Sequence, residues 1–245
     1  MPELPEVESY ARTFARHALG RAIARVRVLD ERVLAVRTAE LARALVGRQF
    51  TRVRRHGKHL FAQAGDVWLR LHFGMSGDLT TAVERFARVV FEFDDGSLIA
   101  FDDMRLFGVV DLVRDPDEFI RDRDLGPDPM SMTLRDFRAR VAGRRGAIKP
   151  MLLSQHVVAG VGNLYADETL FRADIHPRRG VDRLRDDEVK TMFANLRRVL
   201  REAIDGRRRM FPREEGERCP RCGGTIRRAV VGGRTTYFCA RHQRR

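Results

Sequence analysis

Cysteine is scarce in this chain and long apolar runs are missing. The only cysteines, Cys219, Cys222 and Cys239, fall within the last 27 of 245 residues. An odd, clustered set argues against a disulfide framework and for a metal site. Charges interrupt every candidate membrane span. The N-terminus lacks a basic region followed by an apolar stretch, so no secretory signal is expected. These absences lead us to expect a soluble cytoplasmic protein. Acidic charge is also short: 34 Asp and Glu stand against 47 Lys and Arg, a net charge of +13. That excess fits a polyanionic partner, above all nucleic acid. It equally fits an arginine-rich coding habit, and composition alone weighs the two evenly. The excess matters where it is local, as in 213–245, where nine Arg and three Glu give +6.

A hydrophobic share of 43% supports one or two domains. The spacing predicts a helix over 5–19, started by Pro5 with Glu6 and Glu8 at its positive end and stopped at Gly20. Short strands follow: "ARVRVLD", "DVWLRLHF", a hairpin in "RVVFEFDDGSLIAFDD" around Asp94-Asp95-Gly96, and "LFGVVDLV". Strands without intervening helices predict a sandwich or barrel. "DLGPDPMSMT" reads as a linker. A helix over 133–142 capped by Thr133, helices broken by "AGVGN", and an amphipathic helix over 186–205 come next. The expected organisation is α+β. It comprises a helix plus β-sandwich in 1–125, a helical domain in 126–211 and a metal module in 212–245.

In that module Cys219-x-x-Cys222 and Cys239-x-x-His242 flank a strand–Gly232-Gly233–strand signal. A hairpin would bring both pairs together as a closed structural zinc set, with no open position for catalysis. Free thiols on a basic tail are the weaker alternative. Arg234, at the turn, is placed to meet a phosphate or to stay solvated. "AGVGN" has no βαβ context, so it is not a dinucleotide loop. It reads as a tight turn between helices, needed either for close packing or to let Asn163 open a helix toward an anion.

The opening "MPELPEVE" is stiff and acidic in a basic chain. Removal of Met1 would leave Pro2 as a free secondary amine, with a pKa of about 7.7–8.0. Such an amine can attack an aldehyde-like sugar carbon and give an iminium electron sink, with Glu3 beside it to move protons. Pro and Glu are also common before helices, and on residue types alone that plain reading prevails.

The motifs in order decide otherwise. "MPELPEVE", "HFGMSG" at 72–77, "DDMRLFG" at 102–108, "AIKPMLL", "GVGNLYADETLF" and the terminal zinc hairpin span nearly the whole chain. Together the chain resembles the formamidopyrimidine-DNA glycosylase and endonuclease VIII family of DNA base-excision repair enzymes. The resemblance implies an N-terminal helix plus β-sandwich, a helix–two-turn–helix domain and a zinc finger holding one structural zinc ion. It implies a monomeric, nucleoid-associated glycosylase with AP lyase activity, acting on double-stranded DNA with damaged bases or abasic sites. Pro2 matches the nucleophile, Glu3 the acid that assists sugar opening, and Glu6 a supporting carboxylate. Lys58 matches a lysine near the lesion phosphate. Met75, Arg105 and Phe107 match residues that fill the gap left by a flipped nucleotide. His72, Asn163 and Arg234 match phosphate contacts; Lys149 and Glu168 lie in matching segments, and Lys149 is expected among the DNA-binding residues.

Two departures stand out. His242 replaces the usual fourth cysteine, and the stretch from Gly206 to Cys219 is too short for the loop that closes over the base in 8-oxoguanine-removing members. The lesion is therefore open between oxidised purines, oxidised pyrimidines and hydantoin or bulkier lesions. A non-catalytic damage-binding module on the same scaffold is the competing function. A zinc hydrolase is disfavoured by the closed ligand set.

Overall fold

The computed structural model describes residues 1–244 and divides into two compact units, Met1–Asp124 and Leu125–Arg245. The first opens with α1 (Leu4–Ala18). Leu4, Val7, Ala11, Phe14 and Ala18 recur every three or four residues and are buried. The β1 strand (Ile23–Val28) follows, then α2 (Thr38–Leu45), β2 (Phe50–His56), β3 (His59–Ala64), β4 (Val67–His72) and β5 (Gly77–Thr80). After them come β6 (Ala87–Phe93), β7 (Leu98–Asp103), β8 (Val109–Val113) and α3 (Pro116–Asp122).

The strands make two four-stranded antiparallel sheets, ordered β1-β6-β7-β5 and β2-β3-β4-β8. One apolar core joins both sheets to α1. Phe14 meets Phe50 edge-on at 4.9 Å, and Phe50 meets Phe91 at 6.3 Å. Burying a side chain of that size contributes about 2–3 kcal/mol. The sandwich is the expected one, but it is not free of helices. Leu41 and Leu45 give α2 one buried stripe, too short to register as a helical period, and Pro116 after the Asp115 cap starts α3.

The second unit holds α4 (Leu134–Val141), α5 (Ile148–Leu153), α6 (Asn163–Arg172), α7 (Asp186–Ile204) and a hairpin of β9 (Ile226–Val231) and β10 (Arg234–Cys239). Thr133 caps α4 as expected: its Oγ1 accepts from Asp136 N–H at 3.2 Å. Seven consecutive α6 residues, Tyr165 to Phe171, are buried, including Asp167 and Glu168. Those carboxylates inside α6 fasten the rest of the unit. Among the described residues, no helix is long and apolar enough to cross a membrane.

Candidate nucleic-acid interface and metal centre

In the first unit the candidate catalytic residues gather at the start of α1. Glu3 is the N-cap and is only 3% exposed. Its backbone N–H donates to Glu6 Oε2 at 3.0 Å. Glu6 thus fixes the residue that follows Pro2, the return half of a capping box. One turn on, Glu8 pairs with Arg55 at 2.8 Å, and Arg55 Nη1 also donates to the Gly57 carbonyl at 3.2 Å. Arg55 therefore ties the β2–β3 turn, which carries Lys58, to α1. The sequence offers Glu8 only as a helix-start charge and does not point to Arg55, because nothing in it couples positions 47 apart.

Tyr10 links α1 to a second loop. Its hydroxyl donates to the Gly77 carbonyl at 3.4 Å, and its ring lies 4.5 Å from that of Phe73. Burial, then Asp78 and Glu6, push its pKa up, so it stays a neutral donor. The loop it holds carries Met75. Gly74 has φ +53°, and a Cβ there would stand 2.4 Å from the Phe107 carbonyl group. Only glycine allows this approach. Met75 and Phe107 are 41% and 53% exposed, and the Arg105 guanidinium lies 5.0 Å from the Phe107 ring centroid. Met75, Arg105 and Phe107 thus form one projecting group.

His72 lies opposite His59 across the β3–β4 pair, with ring centroids 4.9 Å apart. Gly74 N–H donates to His72 Nδ1 at 3.3 Å, which leaves the ring proton on Nε2. Burial, then Arg70 and Lys58, lower the His72 pKa to about 4. His72 is therefore an uncharged N–H donor at neutral pH. Behind it lies a layer that the sequence does not advertise: Arg70 paired with Asp111 at 3.0 Å and 4.6 Å from the Phe119 ring centroid.

In the second unit, Asn163 opens α6 and its Nδ2 donates to the Thr235 carbonyl at 2.9 Å, next to Arg234 at the hairpin turn. Gly232 packs so closely on Pro150 that a Cβ would stand 2.5 Å from its ring. The "AGVGN" turn and the hairpin tip are therefore one surface. Gln155 organises the turn: its Oε1 accepts from Gly160 N–H at 2.8 Å and its Nε2 donates to the Val161 carbonyl at 2.9 Å.

Lys149 does not lie on that surface. It is wholly buried, pairs with Asp167 at 2.7 Å, and donates to Thr236 Oγ1 at 2.6 Å. Arg213 reaches the other Asp167 oxygen at 2.9 Å. Enclosure of the ammonium removes Lys149 as a direct phosphate contact and makes it a fastener of the hairpin onto α5 and α6. Glu168 is likewise internal, accepting from Phe211 N–H at 2.9 Å and Arg172 Nε at 2.5 Å.

The four metal-site side chains converge, with ligand atoms within 4.8 Å of one another. Cys222 Sγ lies 3.5 Å from Cys239 Sγ, and His242 Nδ1 lies 3.4 Å from Cys219 Sγ and 3.7 Å from Cys222 Sγ. The edges of a zinc tetrahedron built on normal Zn–S and Zn–N bonds are about 3.8 Å and 3.5 Å. Gly224 N–H points at Cys222 Sγ from 3.4 Å, which favours the thiolate. The set therefore fits one structural zinc ion and leaves no open ligand position.

The same layout recurs in known proteins. The formamidopyrimidine-DNA glycosylase N-terminal domain matches residues 1–110, the H2TH domain of that enzyme residues 125–211, and the zinc finger found in FPG and IleRS residues 216–241. The formamidopyrimidine-DNA glycosylase of Symbiobacterium thermophilum is 38% identical, over 99% of this chain and 89% of its own. That of Solibacter usitatus is 36% identical over the full length of both. The Lactococcus lactis enzyme, non-covalently bound to DNA containing an AP site, superposes with a TM-score of 0.93 at 28% identity, over 99% of this chain and 100% of its own. MutM in complex with DNA containing carbocyclic 8-oxo-G gives 0.93 at 28% identity over both full chains. The chain belongs to the formamidopyrimidine-DNA glycosylase family.

Proposed function

We propose that the protein is a monomeric bifunctional DNA glycosylase and AP lyase. It acts on double-stranded DNA carrying oxidised bases or abasic sites, at the nucleoid. With Met1 removed, the Pro2 amine attacks C1′ of the damaged nucleoside and the bond to the base breaks. Glu3 delivers a proton to the sugar ring oxygen, the ring opens, and an iminium links Pro2 to C1′. The iminium draws electrons from the neighbouring C–H bond, so phosphate leaves by successive eliminations and the strand is nicked. Hydrolysis frees the amine. Glu6 holds Glu3 and hence Pro2. Lys58 and the His72 Nε2–H serve the phosphates near the lesion, and Met75, Arg105 and Phe107 fill the vacated stack. Asn163 and Arg234 take backbone phosphates further along. A zinc ion held by Cys219, Cys222, Cys239 and His242 would fix the hairpin that presents Arg234.

The observation that carries this reading is the fastened N-terminus: a buried Glu3 whose N–H is held by Glu6 at 3.0 Å, directly after a proline. Borohydride trapping of Met1-processed protein on abasic duplex tests it. The expected product is a covalent adduct mapped to Pro2. Tight DNA binding with no adduct would favour a non-catalytic damage-binding module instead.

The segment after α7 favours a broad lesion range. Arg172 Nη2 donates to the Arg209 carbonyl at 2.7 Å, and Phe211 stacks on Phe171 at 4.1 Å. With Phe211 N–H on Glu168 and Arg213 on Asp167, its anchors lie on α6 and leave little chain to close over a base. Oxidised pyrimidines and hydantoins should be excised at least as fast as 8-oxoguanine across a panel of single-lesion duplexes. A strong preference for 8-oxoguanine would sink this part.

A further inference from the structure

A histidine metal ligand has a need that a cysteine lacks, a partner for its second ring nitrogen. His242 turns Nδ1 toward the thiols, and its Nε2 faces the end of α6. There the Phe171 carbonyl lies 3.3 Å away and Asp174 Oδ1 3.7 Å away. With Nδ1 on a metal, the ring proton sits on Nε2. The carbonyl accepts it and the carboxylate lies alongside.

Asp174 holds an unusual backbone. It directly follows Ala173, the C-cap of α6, and has φ +60°. This is the position where glycine is favoured, because a Cβ is crowded in the left-handed region. Such conformations persist where the surroundings over-determine them. Here they do. Arg244 N–H donates to the Asp174 carbonyl at 2.9 Å. Arg221, between Cys219 and Cys222, meets Asp174 Oδ1 at 2.6 Å and Oδ2 at 3.2 Å. Arg221 also donates to the Phe171 carbonyl at 3.2 Å. An arginine of the metal knuckle thus grips the carboxylate of this left-handed residue beside the ligand ring.

We propose that Asp174 is a positioning residue for the metal centre, orienting and polarising His242 as the fourth ligand; this rests on the zinc reading of the four side chains and not on the enzymatic activity. A carboxylate beside an imidazole N–H makes the opposite ring nitrogen a better donor to a cation. The same carboxylate beside a fourth thiolate would add negative charge to a site already rich in it. The contribution of Asp174 therefore depends on residue 242 being histidine. A purely structural role at the end of α6 would not depend on it.

The test uses zinc-loaded, full-length protein and the rate of zinc release to an excess of a chromogenic chelator. Asp174→Asn and Asp174→Gly are each made with His242 and with His242→Cys. With His242, both should speed release about 10-fold, and with His242→Cys, Asp174→Asn should leave it within about twofold or slow it. Equal acceleration in both backgrounds, or none with His242, overturns the proposal. Should the His242→Cys protein fail to fold, Asp174→Gly decides. Glycine relieves the positive φ, so the thermal midpoint of metal-free protein should hold or rise while zinc release accelerates. A fall in the metal-free midpoint would show that Asp174 only supports the fold.

Discussion

Asp103 and Ser76, 27 residues apart, are joined at 2.6 Å, and this contact holds together the two loops that carry Met75, Arg105 and Phe107. Asp103 is fully buried. Its Oδ1 also accepts from Arg105 N–H at 3.2 Å, and its Oδ2 accepts from Gly108 N–H at 2.7 Å. Asp103→Ala would leave the buried Gly108 N–H unmatched, at about 1–3 kcal/mol, and would release the Ser76 hydroxyl and the Arg105 N–H from their shared acceptor. We expect lesion excision to fall by at least about 10-fold, while binding to undamaged DNA, which depends on phosphate contacts, changes little. Single-turnover excision and anisotropy titrations on matched duplexes would show the split. Equal loss in both assays would mean that Asp103 supports the domain and not the projecting group.

Lys149 and Arg234 should separate cleanly by salt dependence. Lys149→Met removes one of the two cations on the buried Asp167 and the donor to Thr236, while Arg213 stays on the other carboxylate oxygen, so it should cost about 1–3 kcal/mol of stability. Asp167 already has its pKa raised by burial despite Lys149 and Arg213, so it gains a proton readily once Lys149 is gone. Lys149→Met should nevertheless leave the slope of log affinity against log salt unchanged. Arg234→Ala, at an exposed turn, should reduce that slope by about 0.9, one phosphate contact, with stability intact. A reduced slope for Lys149→Met would return that residue to the DNA surface.

What could be read in advance was whatever is encoded locally. Val189, Met192, Phe193, Leu196, Val199 and Leu200 spell out α7 by spacing alone, and Thr133 marks the start of α4. The two metal pairs with a Gly-Gly turn between them imply their own convergence. The motif order supplied the family. What was hidden depends on partners far along the chain. Lys149 in "AIKPMLL" looks like a surface charge until Asp167 and Thr236 enclose it. Asp103 lies inside "DDMRLFG", and Arg55 and Gln155 lie close to Lys58 and "AGVGN", but their roles come from partners that only folding brings to them. Asp174 is hidden for a different reason: a positive φ at an Asp has no signature in composition.

Acid should destabilise the first unit through two partly buried histidines. His72 is lowered to about 4, and His59 is also held well down by burial, then by His72 and Arg70. An unfolded histidine titrates near 6.5, so below that pH the unfolded chain takes up protons that the folded chain refuses. The stabilisation from the neutral rings is complete above about 6.5 and is lost as pH falls toward about 4, reaching roughly 3 kcal/mol for His72 alone. Denaturant midpoints recorded from pH 7.5 down to 4.5 should fall through this window, and His72→Gln should flatten the decline. An identical decline in the variant would place the titrating groups elsewhere.

Metal removal should act on DNA binding through the hairpin and leave the helices. Cys219 and Cys239 are buried with Phe171, Phe211 and Ile226, and β10 supplies the Thr235 carbonyl for Asn163 and the Thr236 hydroxyl for Lys149. Loss of the ion, or Cys219→Ser, frees the hairpin, withdraws Arg234 and leaves Asn163 and the buried Lys149 short of partners. Affinity for abasic duplex should drop about 10-fold or more, the worth of at least one charged phosphate contact. Helical circular dichroism should persist, because α7 packs through apolar residues outside the metal site. Added zinc should restore binding to the chelated protein but not to Cys219→Ser. Full affinity in metal-free protein would show that the hairpin folds without its ion and that Arg234 is presented by β pairing alone.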